Sequence, residues 1–337
     1  MRIVMMGTGT FAEPTFQALL DAGEKVVGLV TQPDRGSGRK GGTTRQTGKG
    51  MATIAQEAGI PVAQPASINT PEGLAELAAF RPDLLVVAAY GQILKPEVIA
   101  LPPLGAINVH ASLLPKYRGA SPIAHAILNG ETTTGVTIIR ITPGLDAGDM
   151  LAKESLEILP DETTGELEAR LAPIGARLAV DTVRRMKLGP VSGEKQDPTQ
   201  VTRAPKLTKE MGLIDWTKPA DEICRQVRAM QPWPTAYTFF HRPGKESMRV
   251  IVSAVCPAPV ALEETEPVTP GAIQSLESML ISPGSVTDPV IPVHCGNRTI
   301  CLIQELQPAG RKRMTAGEFL RGYPIQNGYR FGPEHVD

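Results

Sequence analysis

Arg2-Ile3-Val4-Met5-Met6-Gly7-Thr8-Gly9 and Lys25-Val26-Val27-Gly28-Leu29-Val30-Thr31 frame the start of the chain. The first is a short apolar run that ends on glycines. The second is rich in valine, and the segment between them, from about Phe11 to Ala22, reads as a helix. Strand, helix and strand in that order favour a parallel α/β sheet. Gly7-x-Gly9 is half of a dinucleotide fingerprint, but Ala12 stands where the third glycine would be. The second strand closes on Val30-Thr31-Gln32, without the acid that would hold a ribose. The glycines therefore read as a tight strand-to-helix turn.

The same alternation continues downstream. Met51 to Ala58 reads as a helix and Val62 to Gln64 as a short strand. Thr70 is placed to cap a helix with Pro71 in its first turn. Asp83-Leu84-Leu85-Val86-Val87-Ala88-Ala89 is the clearest buried strand, and Tyr90-Gly91 ends it. Further strands are expected at 105–109, Gly135 to Arg140 and Met150 to Ile158, with a helix from Ser121 or Pro122 to about Leu128. A long amphipathic helix runs to about Lys187, with Leu167, Leu171, Ile174, Leu178 and Val183 near helical spacing. Leu188 to Pro205 lacks periodicity and reads as a linker. Beyond it, after a helix near 220–230, short strand-like runs at 235–240, 248–256, 271–276, 290–294 and 299–306 suggest a small β-barrel. A last short helix is expected from Thr315 to Arg321. The fold predicted is α/β: a Rossmann-like, mostly parallel sheet domain at 1–189, a linker at 190–205, a barrel domain at 206–321 and a tail at 322–337.

A chain of 337 residues suits two domains. Its net charge of -1 excludes a global basic field, so any contact with nucleic acid must come from local patches. One candidate is the stretch 31–50, where Arg35, Arg39, Lys40, Arg45 and Lys49 lie among Gly, Thr and Ser with only Asp34 opposing them. It reads either as a solvated flexible loop or as an arm that clamps a phosphate backbone. No apolar run is long enough to span a bilayer, and the first residues do not read as a signal peptide. Cys224, Cys256, Cys295 and Cys301 include no Cys-x-x-Cys pair, so they are expected to be free thiols of a cytoplasmic protein.

Chemistry concentrates at Asn108-Val109-His110-Ala111-Ser112-Leu113-Leu114-Pro115-Lys116-Tyr117-Arg118-Gly119. Asn108 and His110 are two apart, so on a strand they share a face. Pro115, Gly119 and Pro122 then break the chain into an irregular loop. The pair could merely satisfy loop backbone, or it could form a site on a rigid strand end. Asp146, in the glycine-rich loop Pro143 to Asp149, is the third polar group, and each of the three sits at or just past a predicted strand. An amide and a protonated imidazole can both donate to an oxygen that turns negative as a carbonyl is attacked. An acid beside the imidazole favours its charged form and can pass protons. If the acceptor's own amine attacks, no Ser or Cys nucleophile is needed, and acyl transfer proceeds in a ternary complex. A metal site competes poorly, since Asn-x-His offers a single good ligand there.

Asn108-x-His110-x-Ser112-Leu113-Leu114-Pro115-x-Tyr117-Arg118-Gly119, with Leu145-Asp146-x-Gly148-Asp149 downstream, resembles the 10-formyltetrahydrofolate-dependent formyltransferase family. The resemblance implies that Asn108 and His110 stabilise the formyl oxyanion, and that Asp146 sets the state of His110 and relays the amine proton. It implies a folate-binding segment at Ser112, Leu113, Leu114 and Pro115, with Tyr90, Gly91 and the 143–148 loop lining the pterin pocket. Thr31-Gln32-Pro33-Asp34, Lys206-Leu207-Thr208-Lys209-Glu210, Ile214-Asp215-Trp216, Pro232-Trp233-Pro234 and Leu306-Gln307-Pro308-Ala309-Gly310-Arg311-Lys312 resemble the branch of that family that acts on methionyl-tRNA. Position 117 is Tyr where many relatives carry Trp, and the basic loop holds more Gly and Thr than is usual. In the implied reaction the α-amine of methionyl initiator tRNA takes the formyl group of 10-formyltetrahydrofolate. Arg35, Arg39, Lys40 and Arg45 would bind that tRNA, as would an OB-like barrel on which Arg311-Lys312-Arg313 is a candidate basic face. The expected molecule is a monomer with no metal and no membrane partner. A formyltransferase acting on a small nucleotide or sugar amine is the alternative. A dinucleotide-linked oxidoreductase and a non-catalytic nucleic-acid-binding protein are more distant ones.

Overall fold

The computed structural model describes residues 1–33, 49–258, 269–273, 289–326 and 328–335. They form two compact units: 1–126, 131–160 and 165–206 in the first, and 127–130, 161–164 and the residues from Leu207 on in the second.

The first unit is built on seven strands: β1 (Ile3–Gly7), β2 (Val26–Val30), β3 (Val62–Ala63), β4 (Leu84–Ala88), β5 (Ala106–His110), β6 (Thr133–Arg140) and β7 (Met150–Glu157). Their spatial order is β3-β2-β1-β4-β5-β6-β7. From β3 to β5 the pairings are parallel, whereas β5–β6 and β6–β7 are antiparallel. β1 and β4 are buried at every residue, which is why they read as unbroken apolar runs rather than alternating ones. β7, on the sheet edge, alternates buried or half-buried with exposed residues along its solvent side. The helices are α1 (Glu13–Asp21), α2 (Met51–Glu57), α3 (Pro71–Ala79), α4 (Pro96–Ala100), α5 (Pro122–Leu128) and α6 (Thr164–Leu188). α3 starts as its sequence predicts, with the Thr70 hydroxyl accepting from the Gly73 amide at 3.2 Å and Pro71 in the first turn. α6 buries Leu167, Leu171, Leu178 and Val183 of the stripe expected of it, and Ile174 stays half-buried.

The stretch that composition marks as a linker is bound to the first unit instead. Glu194 exchanges both backbone hydrogen bonds with Met150, at 2.9 and 2.8 Å. The amide of Arg118 donates to Thr202 at 3.0 Å, and that of Ala204 donates back to Arg118 at 2.8 Å. Single bridges of this kind satisfy backbone groups without any repeating side-chain pattern, so periodicity cannot reveal them.

In the second unit the strands are β8 (Ala236–His241), β9 (Met248–Pro257), β10 (Ile291–His294), β11 (Ile300–Pro308), β12 (Met314–Thr315) and β13 (Arg330–Gly332). They follow the order β10-β11-β9-β8-β13, with β12 on β11. Ala272 bridges Arg330 and Ile273 bridges Val293, which ties the two edge strands together and closes the sheet like a barrel. α7 (Ala220–Ala229) packs on β9 and β11, and α8 (Ala316–Gly322) carries a full capping box between Thr315 and Glu318. Phe240 meets Phe319, Tyr323, Tyr329 and Phe331 in the interior, and Trp216 stacks on Phe331 at 5.9 Å. Phe331 belongs to the segment expected to be a tail, and β13 makes that segment part of the sheet. All four cysteines are free thiols, and Cys256 is only half-buried.

Candidate active site

β5 lies between β4 and β6, with Asn108 opposite Val87 and Ile139, and His110 opposite Thr137. His110 is 5% exposed and Asn108 is partly exposed. His110 Nε2 stands 2.9 Å from the Tyr117 carbonyl oxygen. A carbonyl only accepts, so Nε2 carries the hydrogen and donates it. Nδ1 then faces Asp146, whose Oδ2 is 3.7 Å away, an ion-pair distance longer than a hydrogen bond. The Asn108 amide has no hydrogen-bond partner among the described residues.

Asp146 does not arrive from the strand end that the sequence pattern suggests. Because β6 runs antiparallel to β5, its last residue Arg140 pairs with Ile107 and the next amide, that of Ile141, donates to Ala106. The 141–149 loop therefore starts beside the amino end of β5 and folds back to bring Asp146 to His110. Asp146 takes a left-handed backbone with φ 47°, and its Oδ2 accepts from the Gly119 amide at 2.8 Å. Gly119 itself has φ 130°, and a Cβ there would run into the Ala204 carbonyl. At Gly148 a Cβ would collide with the Arg140 carbonyl. Both glycines are required by close backbone approach.

Gln196, from the supposed linker, joins the two loops. Its Nε2 donates to the carbonyls of Asp146 and Gly148 at 2.7 and 2.8 Å. Its Oε1 accepts from Nε and Nη2 of Arg118 at 3.0 and 2.8 Å. Thr202 adds a hydroxyl that accepts from the Tyr117 amide at 2.8 Å, and the Tyr117 hydroxyl donates to Glu131 at 2.7 Å. No local pattern marks Gln196 or Thr202, since both act on residues about 50 to 85 positions away.

The expected folate residues divide by exposure. Ser112 is buried and its hydroxyl donates to the Lys116 carbonyl at 2.7 Å, while Leu114 packs with Ile139 and Met150. Leu113 and Pro115 remain half-exposed. The Tyr90 ring does not face outward: it lies in the core with Leu94, Val98 and Ile68, and is 2% exposed. Burial, with Glu76 adding to it, pushes the Tyr90 phenol up to about 12, and its hydroxyl has no partner among the described residues. Gly91 is exposed, and the neighbouring Ile93 and the loop residue Leu145 are 75% and 47% exposed. Arg35, Arg39, Lys40 and Arg45 lie outside the described residues. Arg311, Lys312 and Arg313 are exposed, with Arg313 Nε donating to Glu305 at 2.6 Å. Among the described residues no group of three or more His, Cys, Asp or Glu is placed to hold a metal ion. None of their helices is long and apolar enough to cross a membrane.

The formyl transferase family model matches residues 1–183, and that of the formyl transferase C-terminal domain matches 206–324. A methionyl-tRNA formyltransferase of Citrifermentans bemidjiense is 43% identical over 332 residues, covering 98% of this chain and 96% of the relative. Those of Bacillus licheniformis and Bacillus subtilis are 42% and 40% identical, each covering 97% or more of this chain and 96% or more of the relative. Among solved structures, the N-formyltransferase of Helicobacter canadensis, in complex with folinic acid and dTDP-3-aminofucose, has a TM-score of 0.63 at 17% identity. It covers 89% of this chain and 98% of its own. The sugar 3N-formyl transferase WlaRD has a TM-score of 0.62 at 16% identity, covering 93% of this chain and 99% of its own. At such identities the likeness is one of fold alone. The sequence matches, in contrast, run through both units at 40% identity or more, and the chain belongs to the methionyl-tRNA formyltransferase family.

Proposed function

We infer that this protein transfers the formyl group of 10-formyltetrahydrofolate to the α-amine of methionyl initiator tRNA, giving N-formylmethionyl-tRNA for translation initiation. The observation that carries this reading is the match of both units, over nearly the whole length, to enzymes of that name. The sugar-amine formyltransferases share the fold at 16–17% identity, whereas the methionyl-tRNA enzymes match both units at 40% or more.

The reacting amine must be neutral. An unperturbed α-amino group has a pKa of about 8, so roughly a tenth is neutral at pH 7. Its nitrogen forms a bond to the formyl carbon as the bond from that carbon to the folate nitrogen breaks. The amine gives up a proton, and the leaving folate nitrogen takes one. Asn108 is the first donor for the developing oxyanion, with an amide that has no hydrogen-bond partner among the described residues. His110 is anchored through Nε2 on Tyr117, so Nδ1, which faces the Asp146 carboxylate, is its working nitrogen. Asp146 relays the amine proton. Folate lies along Ser112–Pro115, touching the side chains of Leu113 and Pro115 and only the backbone of Ser112 and Leu114. Ile93 and Leu145 offer exposed apolar surface to its flat ring, and the Tyr90-Gly91 turn contributes backbone rather than the tyrosine ring. The tRNA meets Arg35, Arg39, Lys40 and Arg45 and a basic face of the barrel domain. The enzyme acts as a monomer in the cytoplasm, where initiator tRNA is charged and used.

The test is to mix the protein with 10-formyltetrahydrofolate and methionyl initiator tRNA and to look for formylmethionine by mass after deacylation. Transfer to glycinamide ribonucleotide or to an amino sugar, with none to the tRNA, would overturn this reading.

A further inference from the structure

Two arginines flank the catalytic loop, and the chemistry above uses neither. Arg118 and Arg203 are partners in a parallel bridge, so their side chains leave the backbone on the same side. Hydrogen bonds on either side of Arg203 lock this pairing, from the Arg118 amide to Thr202 and from the Ala204 amide to Arg118. Gln196 aims the Arg118 guanidinium by taking Nε and Nη2, and Nη1 has no hydrogen-bond partner among the described residues. Arg203 is exposed, and among the described residues its side chain has no hydrogen-bond or ion-pair partner.

The electrostatics are those of an incomplete site. Burial and the charge of Arg203 both weaken the hold of Arg118 on its proton, and the Asp146 carboxylate opposes them. That carboxylate already takes the Gly119 amide and faces His110. Two guanidiniums held on paired backbone repel each other and are relieved by an anion that meets both. Their forked donors suit the oxygens of a phosphate.

We propose that Arg118 and Arg203 form a phosphate-binding cradle beside the catalytic acid, and that its occupant is a phosphodiester of the ribonucleotide end that carries the acceptor amine. The proposal rests on the tRNA reading above. Gln196 ties the cradle and the catalytic loop to one carboxamide, so a phosphate seated on Arg118 is registered against Asp146. The site would thus fix the distance between the nucleic acid backbone and the amine.

Arg203→Gln is the decisive variant, because that side chain makes no hydrogen bond or ion pair among the described residues. With methionyl initiator tRNA it should raise KM about five- to twentyfold and leave kcat within about twofold. The slope of log KM against log salt should fall by about one, and Arg203→Lys should recover part of the loss. KM for 10-formyltetrahydrofolate should not move. With methionyl-adenosine, an acceptor that lacks the 5′ phosphate, wild type and Arg203→Gln should be equal. A wild-type KM and salt slope for tRNA in Arg203→Gln would overturn the proposal, as would an equal loss with methionyl-adenosine. If wild-type enzyme formylates an amino-sugar nucleotide and not the tRNA, the tRNA reading fails and this occupant fails with it. A raised KM of Arg203→Gln for that nucleotide would then keep a phosphate cradle, with the diphosphate in place of the phosphodiester.

Discussion

Gln196→Leu removes four hydrogen bonds from the loops that hold Asp146 against His110, at a position that touches neither reacting group. Two of these bonds join neutral partners, the carbonyls of Asp146 and Gly148. The other two come from the charged Arg118. A neutral bond contributes about 0.5–1.5 kcal/mol net, and one to a charged group about 1.5–3. Gln196 is only half-buried, so water replaces part of what is lost, which leaves a net loosening of about 1–3 kcal/mol. If that loosening falls on the placement of Asp146, kcat drops about 5- to 150-fold. Steady-state turnover with both substrates saturating measures it, and KM for the folate should change much less. The decisive comparison is a double-mutant cycle with Asp146→Asn. Once the carboxylate is gone its placement no longer matters, so Gln196→Leu should cost little in that background. An unchanged kcat in the single variant would refute the reasoning. So would a full, additive loss in the double variant, because Gln196 would then act through something other than Asp146.

Asn108→Ala should lower kcat by about 10²–10³ without changing the melting temperature, as expected for an oxyanion donor whose amide has no hydrogen-bond partner among the described residues; single-turnover rates and a thermal melt check both halves. Gly148→Ala forces a Cβ against the Arg140 carbonyl, so it should destabilise the fold by about 1–3 kcal/mol and reduce activity further by shifting Asp146; denaturant unfolding beside kcat separates the two effects. Tyr90→Phe removes a buried hydroxyl with no partner among the described residues and should be neutral or stabilising by up to about 1–2 kcal/mol near pH 7. The wild-type phenol is raised to about 12, so on unfolding above its ordinary value the freed tyrosine ionises. Relative to Tyr90→Phe, the wild type therefore loses stability as pH rises from 10 towards 12, by about 1.4 kcal/mol per pH unit. Parallel unfolding curves for the two proteins across that window would remove the buried phenol from the account.

How much of this molecule its sequence discloses depends on whether a feature repeats. β1 and β4 are legible because strands covered on both faces must be apolar throughout, and α6 because its buried stripe recurs each turn. Asn108 and His110 are legible for a related reason: strand parity puts residues two apart on one face. Where parity stops, inference from pattern stops too. Tyr90 marks the end of β4 correctly, yet it lies beyond the strand in a turn where Ala89 has φ 44°, and there parity says nothing about which way the ring goes. The three residues of β13 are too few to show any period, and they join the sheet only because closing the barrel needs a partner for β8. Asp146 was nameable from its motif, but not its route, since nothing local announces that β6 reverses direction. That reversal has a chemical consequence. A carboxylate supplied from the same strand end as His110 could be held by short local turns, whereas one that folds back from the opposite end of β5 must be fixed by distant groups. The Gly119 amide and Gln196 supply that fixation, and both depend on the 194–204 segment packing against the sheet domain. The stretch with the least internal pattern in the first unit is thus the one that sets the geometry of the reaction. Its residues are constrained by contacts far along the chain, and for that reason they leave no trace in local spacing.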